Sequence, residues 1–130
     1  MKILVVDDMP SMRQVMMHML ISLGHVDPDE ASCGLHALKM LRTHDYDLLI
    51  TDLHMPNLDG EQLLSKIRHD KKLYKLPVLM VSCEDDKAKI MALIAGEVTG
   101  FMVKPFNLST LKKQLDWITP NCHTVLEATL

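Results

Sequence analysis

Three acidic residues, a serine and a lysine stand at or just beyond the ends of four short apolar runs. Asp7 and Asp8 follow residues 3–6, Asp52 follows 48–51, Ser82 closes 78–82, and Lys104 follows 100–103. Carboxylates gathered at one place repel one another and hold their protons more tightly unless a cation neutralises them. Oxygen donors without thiolates or clustered imidazoles favour Mg²⁺, which keeps several waters and leaves room for a phosphoryl group. An ammonium and a hydroxyl complete the parts needed to transfer a phosphoryl group to a carboxylate. Each residue alone has a plainer use, as a cap, a turn or a solvated surface group. The joint placement at the ends of four runs is what argues for chemistry.

Such placement needs elements that bring those ends together. Apolar runs at 3–6, 48–51, 78–82 and 100–103, with a weak one at 29–32, alternate with helical patterns, as βα units around a parallel sheet do. Nearly continuous apolar runs suit strands covered on both faces. Met12, Val15, Met16, Met19, Leu20 and Leu23 form a helical stripe, with Pro10 tolerated in its first turn and Gly24 as its stop. Weaker stripes occupy 35–41, 61–68 and 86–95. Leu108, Leu111, Leu115 and Ile118 share one face of a last helix that Asn107 can cap. Right-handed crossovers then predict an α/β fold, a doubly wound five-stranded parallel sheet with five helices. Ligands of such sheets bind outside the carboxyl ends of the strands, where the acidic residues fall. The expected division is one domain over 1–118 and a C-terminal tail over 119–130, which lacks strong periodicity.

With 130 residues and 48% hydrophobic content the chain suffices for one core and is short for two. A net charge of −3 without a basic stripe argues against direct nucleic-acid binding. The first apolar run is too short for a membrane span or a signal core, so no membrane insertion and a cytoplasmic location are expected. Cys33, Cys83 and Cys122 are odd in number and have no metal-ligand spacing, as ordinary thiols in a reducing compartment would. His18, His25, His36, His44, His54, His69 and His123 are scattered and read as solvated side chains.

The blocks Val5-Val6-Asp7-Asp8 with Met12-Arg13, 47–52 ending in Asp52, Met55-Pro56 with Asp59-Gly60, 76–82 ending in Ser82, and 100–106 around Lys104-Pro105-Phe106 occur in an order and spacing that carry a likeness. Over 1–118 the chain resembles the receiver domain of two-component response regulators, closest in character to standalone chemotaxis-type (CheY-like) receivers. The resemblance implies a flavodoxin-like strand order of 2-1-3-4-5. It implies Asp52 as phosphoacceptor, Mg²⁺ held by Asp7, Asp8, Asp52 and the main-chain carbonyl of His54, and Ser82 and Lys104 contacting the phosphoryl oxygens. Ser82 and Phe101 would form the switch that alters the face made by the fourth helix, fifth strand and fifth helix. A histidine kinase or phosphotransfer protein would supply the phosphoryl group, a downstream protein would read the face, and a monomer is expected.

Departures from the family pattern bear on rate at Cys83, His54 and Glu84 and on readout at Phe101, and lie away from the chemistry at Glu97 and Cys33. Cys83 stands where a smaller Ala or Gly is common, and His54 and Glu84 occupy variable positions that tune attack by water. Glu97 replaces a small residue after Gly96, Cys33-Gly34 lacks a common Asp, and Phe101 lacks a tyrosine hydroxyl. Two other readings are an aspartyl-nucleophile phosphatase and the receiver part of a larger regulator with a missing output domain. The phosphatase reading needs an acid/base carboxylate two residues past the nucleophile, where His54 stands, and a cap for which no segment is long enough. The receiver is therefore expected to be no enzyme beyond assisting its own phosphorylation and dephosphorylation.

Overall fold

The computed structural model describes residues 1–83 and 87–129, the stretch 119–129 for its backbone alone. The elements are β1 (Ile3–Val6), α1 (Pro10–Ser22), β2 (Asp29–Ala31), α2 (Gly34–Thr43), β3 (Leu48–Asp52), α3 (Gly60–Arg68), β4 (Val78–Ser82), α4 (Lys87–Ala95), β5 (Gly100–Val103) and α5 (Leu108–Thr129). The five strands form one parallel sheet in the order β2-β1-β3-β4-β5, as the resemblance implies. The backbone of α5 runs into the segment read from the sequence as a tail.

Side chains of a strand alternate between faces, and this sheet divides its core accordingly. Leu4, Val6, Leu49, Val78 and Met80 pack with Leu38, Leu63, Leu64 and Leu93 of α2, α3 and α4. Ile3, Val5, Leu48, Ile50, Leu79 and Val81 pack with Met16, Leu20, Leu111, Leu115 and Ile118 of α1 and α5. The stripe foreseen on α1 is narrower than its spacing suggests. Met16 and Leu20 are buried, while Val15 at the stripe's edge is 44% exposed. Leu108, foreseen on the buried face of α5, is 40% exposed because it begins the helix and clears the sheet. Asn107 caps that helix, its Oδ1 accepting from Thr110 N at 2.9 Å.

The amino end of the sheet is closed by dense hydrogen bonding. The main-chain N–H of Lys2 donates to Asp47 Oδ2 at 2.6 Å, and its ammonium donates to Asp27 O at 2.7 Å and Asp29 Oδ1 at 3.3 Å. The Tyr46 hydroxyl donates to Asp29 Oδ2 at 2.6 Å, which lowers the Asp29 pKa and raises that of Tyr46 together with burial. Arg68, at the end of α3, donates Nε to Glu97 O at 2.9 Å and Nη1 to Tyr74 O and Leu76 O at 3.1 and 2.7 Å. One guanidinium thereby ties the turns entering β4 and β5 to α3.

Two helices end here in the same way. After α1 the N–H of His25 bonds to Leu20 O and that of Gly24 to Ile21 O, with Gly24 at φ +95°. After α4 Val98 N–H bonds to Leu93 O and Glu97 N–H to Ile94 O, with Glu97 at φ +66°. Both are Schellman caps, in which the residue past the helix turns left-handed. Glycine does this freely at the first, whereas glutamate carries a Cβ penalty at the second.

Candidate functional site

The alternation that sorts the core also sorts the site. Asp7, Asp52 and Lys104 continue the series that faces α1 and α5, whereas Ser82 and Phe101 continue the series that faces α4. Parallel pairing of β1 with β3 and of β3 with β4 sets Asp52, directly beyond Thr51 opposite Val6, next to the turn that carries Asp7 and Asp8. Asp7, Asp8 and Asp52 each present a carboxylate oxygen, and these three lie within 4.8 Å of one another. Lys104 Nζ stands 3.4 Å from Asp7 Oδ2 and 3.5 Å from Asp52 Oδ1. The Lys104–Pro105 peptide that follows β5 is cis.

Asp7 and Asp52 are buried while Asp8 is exposed at the lip. Burial pushes the Asp52 carboxyl up and the Asp7 charge adds to this; the Lys104 ammonium and the Leu53 N–H oppose it without cancelling it. Asp7 is bonded at every polar atom. Its N–H donates to Ala31 O, Oδ1 accepts from Met9 N at 2.9 Å, Oδ2 faces Lys104, and its carbonyl accepts from Arg13 Nη1 at 2.8 Å. Ser82 is fully buried, its carbonyl accepting from Lys104 N at 2.7 Å. A cleft of about 340 Å³ opens over these groups, lined by Asp8, Met9, Met12, Asp52, His54, Cys83 and Lys104.

Behind Asp52 the chain turns at Asn57, with φ +70°, and enters α3 through a capping box of Asp59 and Gln62. Gly60 N–H donates to Leu53 O at 2.8 Å. A Cβ at Gly60 would stand 2.5 Å from Asp52 O and 2.6 Å from Met80 Sδ, so only glycine lets α3 lie against the strand end that carries Asp52.

The structure thus brings Asp7, Asp8, Asp52 and Lys104 together, with His54 and Cys83 on the cleft wall and Ser82 at the neighbouring strand end. Phe101 is half-buried on β5, packed against the core on the α4 side, with its carbonyl accepting from Gln114 Nε2 at 3.3 Å. Glu84, named for rate tuning, lies outside the described residues, as do Asp86 at the start of the foreseen helix and the side chain of His123. Spacing and residue type alone left three contributions unseen. Arg13 and Arg68 act on main-chain carbonyls, which leave no mark in a residue pattern. Cys33 caps α2 through a 3.5 Å contact from His36 N, a use that Asp at this position would signal and Cys does not.

Fold and site together define a doubly wound α/β protein with an acidic, lysine-paired cleft at its carboxyl rim, the setting of phosphoryl-transfer chemistry. Residues 3–116 match the family model of the response regulator receiver domain, and the chain belongs to that family. It is 44% identical over 118 residues to the chemotaxis protein CheY-3 of Vibrio cholerae, covering 91% of each chain. It is 41% identical over 118 residues to the chemotaxis protein CheY of Pseudomonas aeruginosa, covering 91% of this chain and 95% of the other. Among solved structures, V. cholerae CheY4 superposes with a TM-score of 0.84 at 33% identity, covering 90% of this chain and 97% of that one. The chain is therefore a receiver domain homologous to chemotaxis response regulators. Among the described residues no helix is long and apolar enough to cross a membrane.

Proposed function

We propose that this receiver is a phosphorylation-dependent switch that accepts a phosphoryl group on Asp52. The observation that carries the proposal is the approach of three carboxylates to within 4.8 Å of one another, two of them paired with Lys104. The donor set of hard oxygens fits Mg²⁺, with Asp7, Asp8, Asp52 and the His54 carbonyl as its protein ligands. When bound, the cation offsets the charge of the carboxylates and of the incoming phosphoryl oxygens. Asp52 supplies the nucleophilic oxygen, and Lys104, fixed between Asp7 and Asp52, pairs with a phosphoryl oxygen as charge is transferred. The Ser82 hydroxyl donates to another.

Engagement of Ser82 draws on the α4 side of the sheet, where Phe101 lies, so that side reports the phosphoryl group to the α4–β5–α5 face. That face exposes Met91, Ile94 and Val103. The donor is a histidine kinase or phosphotransfer protein, the reader a downstream protein, within chemotaxis by homology, and the setting cytoplasmic with the receiver a monomer. Cys83 narrows phosphoryl access and so sets the rates of phosphorylation and of hydrolysis, whereas His54 and Glu84 tune attack by water on the phosphorylated carboxylate. Cys83→Ala is expected to change both.

The test is incubation with a small phosphodonor and Mg²⁺, read by intact mass, with beryllium fluoride binding measured in parallel. A single phosphoryl adduct is expected on the unaltered protein and none on Asp52→Asn. Equal labelling of that variant would remove Asp52 as acceptor.

A further inference from the structure

The turn between β1 and α1 carries two of the three clustered carboxylates, and a side chain from one helical turn further on holds it in place. Arg13 Nη1 donates to the Asp7 carbonyl at 2.8 Å, while Arg13 Nε pairs with Glu30 Oε1 of β2 at 2.9 Å. The Arg13 side chain is 15% exposed, so this guanidinium is enclosed and committed in two directions, whereas Glu30 lies open at 47%. β2 itself pairs with β1, and Asp7 N–H reaches Ala31 O across that pairing. The Asp7 peptide is thus clamped at its N–H by the edge strand and at its carbonyl by a side chain anchored on the same strand.

We propose that Arg13 is a positioning residue for the divalent cation, holding the main chain of Asp7, and with it the start of Asp8, in the conformation that aims their carboxylates at Asp52. The inference rests on the reading that these carboxylates hold Mg²⁺. Two opposed effects of Arg13 can be separated. Its positive charge by itself repels a cation and weakens binding, but Glu30 at 2.9 Å neutralises it locally and leaves little net field. Its hydrogen bonds favour the binding geometry, as groups behind a metal's own ligands do when they fix ligand orientation. The two effects have opposite signs in a variant lacking the side chain.

The experiment is Mg²⁺ titration by calorimetry of the unaltered protein, Arg13→Ala, Arg13→Lys and Glu30→Gln, with thermal unfolding of each in EDTA. The expected result is roughly tenfold weaker Mg²⁺ binding by Arg13→Ala, with Arg13→Lys between the two and a smaller loss in Glu30→Gln. A role through charge alone makes Arg13→Ala bind Mg²⁺ more tightly and Arg13→Lys like the unaltered protein, and either result overturns the proposal. If Arg13→Ala does not fold in EDTA, Arg13→Lys decides, and unchanged affinity there overturns it. Failure of the unaltered protein to bind Mg²⁺ overturns the metal reading and this inference with it; equal affinity across the variants overturns this inference alone.

Discussion

The two ends of the sheet handle charge in opposite ways. At the amino end Lys2, Asp29, Asp47 and Tyr46 are matched donor to acceptor, and Arg68 spends its guanidinium on main-chain carbonyls. At the carboxyl end three carboxylates crowd together, two of them sharing Lys104, and burial works against the ionised form of Asp52. The amino end is arranged for stability. The carboxyl end keeps a destabilising excess of acid that only a ligand relieves, as functional sites commonly do.

The largest expected effect tests whether the acidic end depends on close backbone packing. Gly60→Ala forces a Cβ to within 2.5 Å of Asp52 O, and should cost roughly 2 kcal/mol by urea denaturation. It should also weaken beryllium fluoride binding, since the strain falls on the acceptor strand. Relieving the charge should do the reverse. Asp52→Asn is expected to raise stability in EDTA by about 1 kcal/mol, an increase that Mg²⁺ removes by stabilising the unaltered protein.

The same comparison has a pH signature. Folded Asp52 holds its proton more tightly than the unfolded chain does, because burial raises its pKa from 3.8. Its contribution therefore makes stability fall as pH rises from that ordinary value through the raised one. Denaturation curves across this window in EDTA should show the loss in the unaltered protein and not in Asp52→Asn.

At the amino end, removing a polar partner is expected to cost stability rather than add it. Tyr46→Phe removes a donor from Asp29 and should cost about 1 kcal/mol at neutral pH. Glu97→Gly addresses a strained residue there, exchanging a left-handed glutamate for the residue that serves the matching cap at Gly24. A gain of about 0.5 kcal/mol is expected, the avoided Cβ penalty less the extra freedom of glycine in the unfolded chain. It should leave Mg²⁺ affinity unchanged.

The layout of the sheet was legible because β1, β3 and β4 are continuous apolar runs, which few other contexts require. The acidic cluster was legible for a related reason, since strand ends read from such runs fix which carboxylates must meet. The weak edge strand β2 is only three residues, Asp29–Ala31, and its polar start serves the Lys2 and Tyr46 contacts rather than the core. Val15 was misjudged because a stripe read at i, i+3, i+4 spacing has no marked edge, and the sheet covers only its middle. The clamps of Arg13 and Arg68 were invisible because they end on main-chain carbonyls, and the left-handed Glu97 because a glutamate past a helix end does not mark that turn as a glycine does.

Lys104 stands between Asp7 and Asp52, and three carboxylates with one ammonium leave two negative charges in excess. The phosphoryl group of the proposed function is itself an anion, so by electrostatics alone the rim repels it. The order of events follows. On the proposed reading, a divalent cation that arrives first cancels this excess and removes the repulsion, and the phosphoryl group in turn tightens the hold on the cation by the same factor. On that reading the cleft accepts the phosphoryl group only with the cation in place, a logical conjunction of two ligands rather than a response to one.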